Sequence, residues 1–171
     1  LSTAESMQTL EEIRVDFLGK KGSVTELLKS MKDMSPEEKK TFGQEVNVLK
    51  NELAQAITAK GEELRRAELG RVAASLTDFC RITSDNPDRE LPENIIADIE
   101  AAVNAVSCPH VSFVDRRDAV RYAIDNARDG DCILFAGKGH EDYQIINGEY
   151  VHYDEREEIL AAAAARLAKA K

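Results

Sequence analysis

One change of rhythm divides this sequence. Up to Leu69, apolar residues recur every three or four positions; beyond Gly70 they come in short runs separated by turn residues. A 171-residue chain patterned this way is expected to fold as two small units, 1–69 and 70–171, rather than around one core. In the first, Leu10, Ile13 and Phe17 open a helical stripe, and Val24, Leu27, Leu28 and Met31 continue it. Between them Gly19-Lys-Lys-Gly22 marks a kink or a short break between helices. Ser35-Pro36-Glu37-Glu38 is a helix start: Ser35 caps, Pro36 suits the first turn and Glu38 completes a capping box. Phe42, Val46, Leu49, Leu53, Ala56/Ile57 and Leu64 then form a heptad-like seam. Two seams about a turn near Met34-Ser35 predict an antiparallel helical hairpin, a coiled-coil arm.

The second segment alternates strand and helix signals. Arg71–Asp78 reads as a short helix and Phe79–Thr83 as a strand ending in Ser84-Asp85-Asn86-Pro87. Ile95, Ile96, Ile99 and Val103 give a helix over 92–106, and 111–114 a strand. Asp115 caps a helix whose buried face is Ala119, Val120, Ala123, Ile124 and Ala127. Cys132–Ala136 is a continuous apolar run, expected as a strand in the middle of a parallel sheet. Asn147-Gly148 between Tyr143–Ile146 and Glu149–Tyr153 signals a type I′ hairpin, and Asp154 caps a last helix. The expected fold class is α plus α/β: a hairpin, then a partial parallel sheet with a terminal β-hairpin and a C-terminal helix.

Aromatic residues make up only 5% and charged residues 32%, which disfavours a deep core. Residues 1–69 hold 11 basic against 13 acidic residues and 70–171 hold 12 against 19, so the net charge of −9 sits mostly in the second segment. That balance argues against nucleic-acid binding by the whole chain. Six lysines in residues 20–40 (Lys20, Lys21, Lys29, Lys32, Lys39, Lys40) nonetheless face only four acids, Glu26, Asp33, Glu37 and Glu38. Cys80, Cys108 and Cys132 cannot all pair, and no spacing suggests zinc. Cys80 and Cys132 are expected as buried free thiols, which fits a reducing cytoplasm. Neither a membrane span nor a signal peptide is read, and a sheet that lacks neighbours is expected to seek cover, from the hairpin or from a second copy.

Ligands of open parallel sheets bind beyond the carboxyl ends of the strands. Two such ends are polar here, Asp85-Asn86-Pro87 and Gly137-Lys-Gly-His-Glu141, and the strand order brings both to one edge. Acidic groups for an amine, with an amide and backbone N–H groups for a carboxylate, suit a small zwitterion. Asp-Asn-Pro also reads as an ordinary turn, and Gly-Lys-Gly lacks the spacing of a nucleotide phosphate loop. His140 has no partner at metal-ligand spacing. Asp154-Glu155 and Glu157-Glu158 read as a solvated helix start.

Thr83-Ser-Asp-Asn-Pro87, Ile95-Ile-Ala-Asp-Ile99, Asp115-Arg-Arg-Asp-Ala-Val-Arg-Tyr-Ala-Ile124, Ala136-Gly-Lys-Gly-His-Glu-Asp-Tyr-Gln144 and Asp154-Glu-Arg156 follow one another over about 90 residues. In these motifs residues 70–160 resemble the later part of the C-terminal domain of the Mur ligases that add the third residue of the peptidoglycan stem peptide in cell-wall synthesis. The resemblance implies an ATP- and Mg-dependent amide ligase whose C-terminal domain holds the incoming amino acid. Asp85 and Asn86 would contact that amino acid, and Gly137 and Glu141 would grip its far end. Diaminopimelate-adding members read Asp-Asn-Pro-Arg; here Asp88 takes the fourth place and Arg89 follows it, leaving lysine and diaminopimelate both open. The family's ATP-binding parts have no counterpart in these residues, so the resemblance implies no catalytic residue, no bound cofactor or metal, and no ligation by this segment alone.

Leu10-Glu-Glu-Ile-Arg14, Phe17-Leu-Gly-Lys-Lys-Gly22, Thr25-Glu-Leu-Leu28 and Ser35-Pro-Glu-Glu38 are similar to the N-terminal coiled-coil arm of bacterial phenylalanyl-tRNA synthetase alpha subunits. That resemblance implies tRNA as a partner, met by the six lysines near the hairpin tip and the break. A shuffled or engineered fusion with a structural role only is the third reading.

Overall fold

The capping signals in the first segment are realised bond by bond. The computed structural model describes Leu1 and residues 3–169, with the backbone alone for Asp33. The chain divides into two compact units, Leu1–Arg65 and Arg66–Lys171. In the first, α1 (Met7–Leu18) begins at Ser6, whose hydroxyl accepts from Thr9 N while Thr9 Oγ1 accepts from Ser6 N, both at 3.1 Å. A break separates it from α2 (Ser23–Ser30), after which one turn of 3₁₀ helix, Met31–Asp33, leads to α3 (Pro36–Leu76). Ser35 N donates to Glu38 Oε2 at 2.9 Å and Glu38 N to Ser35 Oγ at 3.4 Å, the expected capping box.

The break has a steric cause. A Cβ on Gly22 would lie 2.6 Å from the Phe17 carbonyl oxygen, and one on Gly19 would strike the Val15 carbonyl. Only glycine allows the chain to fold back this closely. The pairing is antiparallel, because Met31 reaches Gly43 whereas Leu10 reaches Gly61, so α3 runs past α2 and then back along α1. Ala4, Leu10 and Ile57 are buried, with Ile13, Leu18 and Leu64 against them. The seam is shorter than its sequence: Leu49 is 40% exposed, and Phe17 and Leu27 also face outward. Four non-helical residues between α1 and α2 reset the helical phase, so the two short stripes cannot cover α3 continuously.

The second unit opens with the last turns of α3. The short helix expected over 71–78 is instead the end of this 41-residue helix, which passes Leu69-Gly70 without a break. β1 (Cys80–Thr83) and β2 (His110–Phe113) pair in parallel, Cys80 opposite His110 through Thr83 opposite Phe113. α4 (Pro92–Val106) makes the crossover, with proline at its first turn. Ala74, Cys80, Ile82, Ile96, Val103 and Cys108 form the core between α3, β1 and α4. α5 (Arg116–Asp125) starts at Asp115, whose Oδ1 accepts from Arg117 N at 2.8 Å. It packs on β1 and on α6 (Glu155–Lys169), with Ala119, Val120 and Ala123 buried. β3 (Tyr143–Ile146) and β4 (Glu149–His152) form the expected hairpin, with Asn147 at φ 54° and Gly148 at φ 81° in its turn.

One expected strand is absent. Cys132–Ala136 is not part of a sheet, Cys132 is exposed rather than buried, and Leu134 is 81% exposed. Apolar content creates a need for cover, but a strand exists only as a ladder with a neighbour, and the described parallel sheet contains β1 and β2 alone. No helix among the described residues is long and apolar enough to cross a membrane.

Candidate functional site

The two polar loops meet around one lysine. Lys138 is 1% exposed, and its ammonium donates to Asn86 Oδ1 at 2.8 Å, to Glu141 Oε2 at 3.2 Å and to the Tyr143 carbonyl. Asp85 Oδ1 lies 2.9 Å from the same nitrogen. A buried ammonium is tolerable only with such a set of partners. Asn86 ties the loops a second time: its amide donates to Glu141 Oε2 at 3.1 Å, and its Oδ1 accepts from Ile145 N at 3.2 Å. Gln144 adds a bond from its side-chain amide to the Asp85 carbonyl at 2.8 Å. Hydrogen bonds from Asn86 and then Lys138 hold the Glu141 carboxyl below the usual carboxylate range.

A buried ion pair fixes the loop's entry. Arg116 Nε donates to Glu155 Oε1 at 2.8 Å, and Arg116 Nη2 donates to the Ala136 carbonyl at 2.8 Å. Glu155 is therefore buried and paired, not part of a solvated helix start, and Glu158 pairs with Arg117 at 2.9 Å. Gly137 follows at φ 118°, where a Cβ would sit 3.5 Å from both Asp85 Oδ2 and Arg116 Nη2. The Arg117 guanidinium covers the buried Tyr153 ring at 5.1 Å, and burial pushes the Tyr153 hydroxyl up to about 12.

Of the residues read from the sequence, Asp85, Asn86, Gly137 and Glu141 come together. Arg89 does not join them: it is exposed and lies over the hairpin turn, its Nη2 3.7 Å from where a Gly148 Cβ would be. Asp88 stands in the left-handed region at φ 50°, its N–H donating to the Ile145 carbonyl at 2.9 Å and its carbonyl accepting from Asn147 N. Lys138 enters the sequence reading only as a lysine of the second loop and Glu155 only as a solvated helix start, while Arg116 and Gln144 carry no site role there. Two of them carry a signal: Arg116 shares the spacing of Ala119, Val120 and Ala123, and Glu155 that of Ala162, so each lies on the buried face of its helix. In the helical unit Lys20, Lys21, Lys29, Lys32 and Lys40 are exposed and Lys39 is half-buried; Lys29 pairs with Glu26 at 2.7 Å. No metal-binding group of His, Cys, Asp and Glu occurs among the described residues.

Comparison with known proteins separates the same two regions. Residues 5–73 match the family described as aminoacyl tRNA synthetase class II, N-terminal domain, of the phenylalanyl kind. The UDP-N-acetylmuramoyl-L-alanyl-D-glutamate–2,6-diaminopimelate ligase of Caldanaerobacter subterraneus subsp. tengcongensis is 50% identical over 103 residues, 58% of this chain and 21% of its own. The chain resembles two protein families in succession. The ligase of the same name from Gloeobacter violaceus is 44% identical over 108 residues, 63% of this chain and 22% of its own. A solved structure of such a ligase matches 51% of this chain and 18% of its own length, with a TM-score of 0.48 and 38% identity. The chain thus spans about a fifth of the length of the curated ligases it matches.

Proposed function

We propose that the α/β unit is a free-amino-acid recognition module of the Mur-ligase type, taking a diamino acid such as lysine or diaminopimelate, and that this segment does not carry out ligation by itself. The observation that supports this reading is the Lys138 cluster. Glu141 Oε2 accepts from the lysine and from Asn86, while Asp85 Oδ1 lies 2.9 Å from the ammonium and, among the described residues, is buried without a hydrogen bond. Two partly exposed carboxylates held at fixed separation suit an incoming ammonium. Lys138 supplies the rigidity: it joins both loops, so the acceptors are placed before a ligand arrives. Calorimetry with L-lysine and with meso-diaminopimelate is expected to show binding that Glu141→Ala abolishes. Silence at millimolar ligand, with Glu141→Ala making no difference, overturns the reading. The 171-residue chain is expected to show no ATP turnover in the presence of either amino acid, and turnover would overturn that part. A cytoplasmic setting belongs to the same proposal and agrees with three unpaired cysteines.

For the helical unit we infer a tRNA-binding arm, on the match over residues 5–73 and on five exposed lysines at the break and the tip. Binding to tRNA is expected to weaken steeply with salt and to fall in Lys39→Ala/Lys40→Ala. Binding unchanged by both salt and the double substitution overturns it.

A further inference from the structure

Two buried thiols lie side by side at the end of the parallel sheet remote from the Lys138 cluster. Cys80 opens β1 and Cys108 precedes β2, with their sulfurs 3.7 Å apart. Cys80 N donates to the Pro109 carbonyl at 2.9 Å, so the two backbones are already fastened beside the pair. The remaining sulfur contacts are weak: Thr77 Oγ1 is 3.3 Å from Cys80 Sγ, and Cys108 Sγ is 3.6 Å from the Thr77 carbonyl and 3.5 Å from the Pro109 carbonyl. Closing from 3.7 Å to a bond of about 2.05 Å is within reach of side-chain rotation, with only these contacts to give up.

We propose that Cys80 and Cys108 form a reversible dithiol–disulfide latch, oxidised by small hydroperoxides. One thiol gives up its proton and its sulfur attacks the peroxide; the O–O bond breaks, one oxygen stays on sulfur as a sulfenic acid, and the other takes up the released proton and leaves as an alcohol or water. The second sulfur then attacks the sulfenic sulfur, the S–O bond breaks, and its oxygen leaves as water after taking the thiol proton. Two electrons pass from the thiols to the peroxide, and a dithiol reductant reverses the change. Both sulfurs are nearly closed to solvent, which favours a small oxidant over a protein one. The resulting ring spans residues 80–108 and encloses α4, fastening the start of β1 to the start of β2. Asp85 and Asn86 lie beyond the opposite end of β1, so the latch stiffens the unit without entering the loop cluster.

The test uses the full chain with Cys132→Ser, which removes the exposed thiol. After hydrogen peroxide, the expected result is a mass loss of about 2 Da, a linked peptide pair containing Cys80 and Cys108, and loss of both titratable thiols after unfolding, all restored by dithiothreitol. The melting temperature of the oxidised protein is expected to rise by several degrees and to return on reduction. Two thiols still titratable after unfolding, oxygen gained on either sulfur, or a disulfide between chains overturns the proposal.

Discussion

In the helical unit burial is thin: Ala4, Leu10 and Ile57 form one small cluster, with Val24 and Val46 buried apart from it. The α/β unit buries a six-residue cluster, the Ala119, Val120 and Ala123 face of α5 and, beyond them, charged groups: Arg116 with Glu155, and Lys138 among Asp85, Asn86 and Glu141. A two-layer helical pair has no interior far enough from water to require paired charges. An α/β layer does, and there a charged side chain can fix the position of a loop. The difference teaches where function can be built precisely. In the helical unit charge stays on the surface as a field, whereas in the α/β unit it is internal and geometric.

The comparison breaks most sharply at Arg116. Arg116→Leu leaves Glu155 buried without its partner and is expected to cost the α/β unit about 3–5 kcal/mol by urea denaturation. Arg116→Leu/Glu155→Leu should recover most of that loss, and a double variant as unstable as the single would deny the pairing its role. Next come matched truncations of residues equally hidden in the two units. Ile82→Ala is expected to cost about 3–4 kcal/mol and Leu10→Ala about 2 kcal/mol, because the thinner helical core can collapse around the void. Equal costs would mean that the two units bury their cores alike. Ser35→Ala, which removes half of the α3 capping box, should cost about 1 kcal/mol, read as lost helicity and a lower midpoint.

Sequence alone carried the local signals far. The α3 capping box, the Asn147-Gly148 turn, β1, β2 and the buried faces of α4 and α5 all follow from spacing and residue type. Cys132–Ala136 failed because its apolar run announces a demand for cover without naming the strand that would meet it. Glu155 departs from expectation because acids in a first turn are usually solvated, whereas this one shares a buried face with Ala162. For the site, the meeting of Asp85 and Asn86 with Glu141 is expected from two strand ends, yet only 80–83 is a strand; the other loop is carried by the irregular segment 132–136 and held by Arg116 and Lys138 instead. The inward turn of Lys138 was not legible, since nothing in Gly-Lys-Gly distinguishes a lysine that bonds its own loop from one that reaches for a ligand.

The smallest expected effect concerns His152, which faces Glu157 at 2.9 Å on an exposed surface. The Glu157 carboxylate raises the His152 pKa above its ordinary value. The charged pair therefore contributes its stability in full below the unfolded histidine pKa, and that contribution is lost as pH rises through the folded one. Glu157→Gln should move the imidazole titration, followed by NMR, back toward the ordinary value. Glu141 behaves in the opposite sense: its lowered pKa means that its contribution is present near neutrality and disappears as acid titrates through the folded value. Asn86→Ala should raise the Glu141 titration point.

Asp88 holds a left-handed conformation between two backbone bonds to the hairpin, at φ 50°. Its tolerance to substitution is consequently governed by backbone handedness: glycine and asparagine should be accepted there, while valine or isoleucine should be excluded whatever the amino acid bound nearby. In a library of variants selected for folding alone, position 88 would already look constrained, and its residue preference would record a turn rather than a ligand.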